Sequence, residues 1–368
     1  MSTGALDAAL NGATVLVTGG AGFVGSRVAI SLARDAPSAR IVAVDTLRRR
    51  GTELHLPLLA EAGVRFEHGD VRVADDVLAA AKGCHVLIDC SAEVAASAGY
   101  HDSPHRVLQT NLLGTINCLE AARHNGARVV FLSTSRVYPI EPLNGIAVTS
   151  EPTRWAIAAD QPQDGVSQAG VTERFTLAGA RTLYGATKLA SELLLCEYGA
   201  LYGLQYVVNR FGVIAGPGQM GREEQGVFTL WVARHHFGGT LTYRGWGGDG
   251  RQVRDLLHVD DATRLIQMQL TQWDRVNGRT YNAGGGRASN VSLCELTELC
   301  RTVTGRRLAV GSDPETNPWD VRVYVTDHTT LTRDTGWEPT HDPSAIVHDI
   351  HRWMSARHDA LAPLFAGR

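Results

Sequence analysis

The stretch that most constrains the fold is Thr18-Gly19-Gly20-Ala21-Gly22-Phe23-Val24-Gly25-Ser26. It stands between an apolar run, Thr14-Val15-Leu16-Val17, and a segment with helical apolar spacing, Arg27 to Ala33. That order reads as strand, glycine turn and helix. In such a turn Gly19 permits the tight bend, Gly22 lets backbone approach a pyrophosphate, and Gly25 allows the helix to pack closely on the sheet. The helix start then offers N–H groups and the positive end of a dipole to phosphate. Gly19, Gly22, Phe23 and Val24 are the candidate cofactor contacts here.

The next strand pattern, Arg40 to Asp45, closes on an acid about twenty residues further on, where a carboxylate accepts from ribose hydroxyls. Asp45 repels a 2′-phosphate, so NAD is expected ahead of NADP. Arg48, Arg49 and Arg50 follow it, and for them a solvated loop competes with a second phosphate site. A third short strand, Val64 to Val71, brings Asp70 and Val71 to its end, with Asp70 a candidate acceptor for the adenine amino group. Strands at His85–Cys90 and Arg128–Ser135 continue the alternation with helices. The expected fold is therefore α/β, a Rossmann-type doubly wound parallel sheet covered on both faces. Small residues from Ser91 to Ala96 leave room for a cofactor against the backbone.

With 368 residues, 44% hydrophobic and 20% charged, the chain has room for one large or two moderate domains. A net charge of -3 gives no general attraction to nucleic acid, and no apolar run reaches the length of a membrane span. Met1 to Gly12 has neither the basic start nor the apolar core of a signal peptide, so a cytoplasmic location is expected. The six cysteines form no CxxC pair and read as reduced thiols. His235, His236, His348 and His351 lack partners at metal-ligand spacing, and no metal is expected. From Pro139 to Arg181 periodicity lapses; the segment reads as a wall or lid over a site, with a loose insertion as the alternative.

Tyr184 and Lys188 stand four apart on one helical pattern and so share a face. A phenol has a pKa of about 10. A neighbouring ammonium and the positive ring of an oxidised nicotinamide both favour the phenolate. Tyr184 is then the candidate base for a substrate hydroxyl while hydride leaves the same carbon, with Thr134 at a strand end orienting that oxygen. A lone Tyr and Lys at this spacing carry little weight; after the glycine turn and Asp45 they define a site.

The motifs TGGAGFVG, Asp45, HGDV, STSRVY and YGATK resemble the extended short-chain dehydrogenase/reductase family, the nucleotide-sugar epimerases and dehydratases, over nearly the whole chain. The resemblance implies Thr134, Tyr184 and Lys188 as catalytic residues, Asn111 of NLLGT together with Tyr184 and Lys188 as further cofactor contacts, and a homodimer. It implies a smaller, mostly C-terminal α/β region that binds a nucleotide sugar. The chain would divide into residues 1–209 with a return segment 255–283, and residues 210–254 with 284–368. Arg254, just before the strand expected to return to the main sheet, would hold the substrate's diphosphate or nucleotide; the alternative is a surface ion pair with Asp255. Asn209, Asp320 and Arg322 are the other candidate substrate contacts.

Three departures from the family pattern narrow the activity. Ser135 and Arg136 occupy the positions of the Asp-Glu pair that dehydratases use, which disfavours dehydration. Val213 stands where 4-epimerases carry an Asn. Asn317-Pro318-Trp319-Asp320 keeps the acid of a C-terminal RxGD pattern and loses its arginine, for which Arg322 is the nearest substitute. The run NRFGVIAGPGQMG, with GVTERFTLAGARTLYGATKLASELLL before it, is similar to 2-epimerases of CDP-linked dideoxyhexoses. That implies NAD-dependent oxidation at C2 and hydride return to the opposite face. A UDP-sugar 4-epimerase, a net nucleotide-sugar dehydrogenase and a non-catalytic NAD-binding protein are the alternatives; the complete Thr134, Tyr184, Lys188 set opposes the last.

Overall fold

Val15 and Val17 face one side of their strand and Leu16 the other, yet all three are fully buried. A strand covered on both faces sits inside a parallel sheet clad with helices. In the computed structural model, which describes residues 3–94, 97–100, 103–222 and 225–365, β1 (Thr14–Thr18) is such a strand. It pairs in parallel with β2 (Arg40–Asp45) and β4 (Val86–Asp89). β3 (Arg65–His68) flanks β2, and β5 (Arg128–Thr134) flanks β4. Tyr206–Phe211 and Arg279–Ala283 complete the seven-stranded sheet in the order Arg279–Ala283, Tyr206–Phe211, β5, β4, β1, β2, β3. One face is covered by helices Phe23–Asp35 and Val259–Thr271 through Val28, Leu32, Leu265 and Ile266. The other is covered by Gly114–Asn125 and Leu183–Tyr202 through Leu119, Ala122 and Leu195. The doubly wound α/β fold expected from the alternation is the fold observed.

The strand that carries Arg254, Val253–His258, does not lead directly into the main sheet. It pairs with Val213–Ala215, Asn290–Ser292 and Val323–Tyr324 in a second, smaller sheet. The chain returns to the main sheet only through helix Val259–Thr271 and strand Arg279–Ala283. The aromatics Phe228 and Trp231 lie in the core beneath this second sheet with Leu256, Leu296 and Ile350. A capping box between Ser292 and Glu295 starts helix Leu293–Thr304 there.

The stretch without periodicity, residues 139–181, is packed rather than loose. It holds a one-turn helix, Ile140–Asn144, and two short hairpins. Its Leu143, Ile146, Ile157 and Phe175 share a core with Val253, Val321, Val323 and Tyr324 of the smaller sheet and its approach. Strands of two or three residues leave too few alternations to read from sequence. Ala95 and Ala96 of the small-residue loop lie outside the described residues.

Asp261, in the first turn of Val259–Thr271, ties the C-terminal region to this scaffold. Its buried carboxylate accepts from the Thr340 and His341 N–H groups, the Thr340 hydroxyl, His341 Nδ1 and the Arg264 guanidinium. Burial raises its pKa, but these bonds outweigh it and hold the carboxyl well below the usual range. A depressed folded-state pKa gives stability that is full above the unfolded value and drains away as pH falls towards the folded one. Melting temperature is therefore expected to fall between about pH 5 and pH 2. Asp261→Asn should lower it at neutral pH and flatten that acid slope, measured by thermal melts across the range.

Candidate active site

The glycines of the first turn are required by three close approaches. Gly19 has φ +62°, and a Cβ on it would lie 2.8 Å from the Cys90 carbonyl oxygen beyond β4. A Cβ on Gly20 would lie 2.6 Å from the Ala43 Cβ on β2. A Cβ on Gly25 would collide with the Gly19 carbonyl oxygen. Gly25 thus serves contact between helix and turn, whereas the sheet contact that the sequence reading gave to Gly25 belongs to Gly20. Helix Phe23–Asp35 begins after Gly22 without a side-chain cap, which leaves its first N–H groups for a ligand.

Asp45, at the end of β2, accepts from the Ala21 N–H at 3.2 Å and the Leu47 N–H at 2.9 Å, so strand end and glycine turn are locked together. Arg49 and Arg50 reach the carbonyls of Met220 and Pro363 and turn away from it. Asp70 stands at the end of β3 in a bidentate pair with Arg72, and Val71 is buried against Gly114. His55, which no sequence pattern singles out, is buried beside the turn and bonds the Ala21 carbonyl at 2.8 Å. A cradle with no room for side chains, an uncapped helix start and an acid at the β2 end fit a dinucleotide.

The second half of the site is built where β5 meets helix Leu183–Tyr202. Thr182 caps that helix by accepting from the Gly185 N–H at 3.1 Å. A Cβ on Gly185 would overlap the Arg136 carbonyl oxygen, so only glycine lets the helix press against the turn after β5. This contact brings Tyr184 to Thr134. Burial pushes the phenol above its usual value, while the Thr134 hydroxyl and the Arg136 charge pull it back.

Lys188 lies one turn beyond Tyr184 on this helix. Its side chain is 2% exposed, with Nζ 3.5 Å from the Ser91 carbonyl and 4.4 Å from the centre of the Phe131 ring. The Ser91 hydroxyl and N–H in turn donate to Asp89 at 2.6 and 3.1 Å, and the Thr18 and Thr115 hydroxyls donate to the same carboxylate. Burial lowers the Lys188 pKa, and Asp89 is the chief opposing influence. The ammonium thus lies within reach of the Ser91 carbonyl, and the nearby buried Asp89 carboxylate favours its protonated form. Asn111 braces the same loop: its carboxamide bonds both backbone groups of Glu93 and the Thr187 hydroxyl, from within a π-turn spanning Leu108–Leu113.

Among the candidate substrate contacts, Arg254 and Asp320 come together. The Arg254 guanidinium donates to Asp320 at 2.8 Å and to the Val321 carbonyl at 2.6 Å, and burial pulls its pKa down to about 10. The ion pair with Asp255 does not form; Asp255 is buried under Gly212 and Gly284 and accepts from the Thr326 N–H. Arg254 and Arg136 line one pocket with Ser135, Thr182, Val213 and Tyr324. Arg322 points elsewhere, to the Asn144 and Ile146 carbonyls and over Trp155 and Trp246. Asn209 is no substrate contact. Strand alternation turns it beneath the sheet, fully buried, where its carboxamide exchanges two bonds of 2.8 Å with Gln269.

A buried network that sequence reasoning missed supports the wall of the site. Arg210 forms a bidentate pair with Glu192, one turn beyond Lys188 on the same helix, and donates to the Tyr138 hydroxyl at 3.2 Å. Ser133 also donates to Glu192, and Tyr138 donates to Asn282 at 2.7 Å. Its members come from four segments, so no local pattern marks it. Among the described residues, His258, His341 and Asp349 gather their ligating atoms within 4.8 Å. The two rings are stacked with centroids 4.2 Å apart, and the Asp260 N–H donates to His258 Nδ1. Stacked rings cannot both aim an in-plane lone pair at one ion, so this set is a poor metal site.

Comparison with known proteins extends these observations. The model of the NAD dependent epimerase/dehydratase family matches residues 15–284. CDP-paratose 2-epimerase of Salmonella typhi is 28% identical over 357 residues, 93% of this chain and 99% of that protein. UDP-glucose 4-epimerase of Corynebacterium glutamicum is 27% identical over 357 residues, 94% of this chain and 97% of that protein. The crystal structure of the Thermus thermophilus UDP-glucose 4-epimerase in complex with NAD is 27% identical, with a TM-score of 0.73 over 93% of this chain and 99% of that one.

Proposed function

The chain belongs to the NAD dependent epimerase/dehydratase family, and from that premise we propose that it inverts C2 of a CDP-linked hexose by transient oxidation to a keto-sugar. The observation that carries this reading is the convergence of Thr134 and Tyr184 at the carboxyl edge of the main sheet, beside the glycine turn and Lys188. NAD is the cofactor, and bound there it would supply reversible hydride acceptance. The residues that would hold it are Gly19, Gly22, Phe23 and Val24 at the turn, Asp45 and Asp70 at the strand ends, and Lys188. Asn111 would shape the loop against which it lies.

Tyr184 takes the hydroxyl proton of the sugar and returns it, and Thr134 orients that oxygen. Arg254, held by Asp320, faces the substrate's diphosphate; a guanidinium suits paired phosphate oxygens. Ser135 and Arg136 put no acid beside Thr134, which favours epimerisation over loss of a hydroxyl. Residues 1–209 with 255–283 would hold the cofactor, and 210–254 with 284–368 the sugar nucleotide. Leu193, Leu201 and Tyr202 on the site helix, with Leu108 and Leu113 before Gly114–Asn125, are exposed apolar residues that suit a homodimer contact.

The C2 and CDP assignment draws on the 28% identical relative. A second reading, 4-epimerisation of a UDP-sugar, draws equal support from the 27% identical relatives. Incubation with CDP- and UDP-hexoses, followed by product chromatography, separates the two. An inverted product without net reduced nicotinamide is expected; accumulation of reduced nicotinamide, or no product from either series, overturns the epimerase reading.

A further inference from the structure

Three consecutive residues, Trp319 to Val321, hold two guanidiniums. The Trp319 carbonyl accepts from Arg136 Nη1 at 2.8 Å, and Arg254 Nη2 donates to the Asp320 carboxylate at 2.8 Å and the Val321 carbonyl at 2.6 Å. Both side chains are thus docked along no more than about 7 Å of chain. That short segment is itself fixed from outside. Asn144 Nδ2 donates to the Asp320 carbonyl at 3.1 Å, Asn144 Oδ1 accepts from the Arg322 N–H at 3.0 Å, and the Trp319 ring centre lies 4.5 Å from that of Tyr100.

Arg136 and Arg254 line one cavity with Ser135, Thr182, Val213 and Tyr324, and among the described residues no carboxylate lines it. Asp320 neutralises Arg254, whereas the bond that holds the Arg136 guanidinium is to a neutral carbonyl. Two guanidiniums to one carboxylate leave the cavity positive. Arg181 and Arg322 do not line it; they are tied to the carbonyls of Val137 and Gly179 and of Asn144 and Ile146.

The diphosphate of a sugar nucleotide carries a negative charge on each phosphate, and a guanidinium already matched by a carboxylate does not balance both. Arg136 lies at the end nearer the sugar, because its own N–H donates at 3.2 Å to the hydroxyl of Thr134. We infer that Arg136 binds the sugar-side phosphate of the substrate, with Arg254 on the nucleoside-side phosphate, and that Arg136 thereby selects nucleoside diphosphates over monophosphates. This rests on the proposed sugar-nucleotide reading and on Thr134 meeting the sugar.

The test is binding, which needs no turnover. Calorimetry measures CDP, CMP, UDP and UMP on the full-length protein with NAD present, and the parent is expected to bind the preferred diphosphate at least about tenfold tighter than its monophosphate. Arg136→Gln should weaken that diphosphate by about 10- to 100-fold, the scale of a hydrogen bond to a charged group, and the monophosphate by less than about threefold. Arg254→Gln should weaken both. Arg136→Lys should keep part of the diphosphate affinity, and the double variant Arg136→Gln, Asp320→Asn should regain part of it, because Arg254 then carries its charge uncompensated.

Unchanged diphosphate binding in Arg136→Gln, or equal losses for diphosphate and monophosphate, overturns the inference. Equal affinity of the parent for diphosphate and monophosphate does the same, and that measurement needs no variant to fold. Should Arg136→Gln weaken UDP-glucuronate while UDP and CDP bind as before, Arg136 reads an acid on the sugar and the inference falls. Failure of every sugar nucleotide to turn over would sink the proposed function yet leave these affinity ratios readable.

Discussion

Tyr184→Phe is expected to lower the rate of epimerisation by about 10²- to 10⁴-fold, the range that a positioned acid–base group supplies. The ring remains, so helix Leu183–Tyr202, its Thr182 cap and the Gly185 contact have no reason to change. Affinity for NAD should stay near that of the parent, because the glycine turn and Asp45 are untouched. Single-turnover measurements with the preferred sugar nucleotide, alongside NAD binding by calorimetry, check both halves. A rate within threefold of the parent would remove Tyr184 from the chemistry; a loss of NAD binding would recast it as structural.

Arg210→Met is expected to destabilise the protein by about 3–5 kcal/mol, because it leaves the Glu192 carboxylate buried without its cation. The two side chains are 7% and 6% exposed, so water cannot replace the lost partner. The doubly substituted Arg210→Met, Glu192→Leu protein should recover much of that loss, since an apolar pair of similar volume avoids the cost of burying charge. Denaturant unfolding of the single and double variants reads the difference. Equal losses in both would mean that the Ser133 and Tyr138 bonds, rather than the unpaired charge, dominate.

The parts legible in the sequence were those fixed by local physics. Val15, Val17 and Leu16 alternate between two buried faces within five residues, and Gly19 and Gly25 are demanded by a turn of seven. The spacing of Tyr184 and Lys188 told which helix face they share. It did not tell where the Lys188 ammonium ends, because Ser91 lies 97 positions away.

The alternative partner for Arg254, adjacent Asp255, drops out because neighbours on a strand face opposite sides, and the acid that Arg254 does meet, Asp320, is 66 positions on. Asn209 was a candidate substrate contact; only its pairing with Gln269, 60 positions on, revealed a core amide. The link between Tyr138 and Asn282 spans 144 positions and joins two segments that share no motif. Site residues held by distant partners are invisible to spacing, whereas turns and helix faces are not.

The central claim is that hydrogen leaves and returns to one sugar carbon as hydride, with Tyr184 handling only the hydroxyl proton. It is tested most directly by running the reaction in deuterium oxide and reading the isotope at the inverted carbon by mass spectrometry and NMR. Product free of deuterium at that carbon, from enzyme that shows no net reduced nicotinamide, is expected. Deuterium incorporated there in step with inversion would mean that a proton is removed from carbon, and would contradict it.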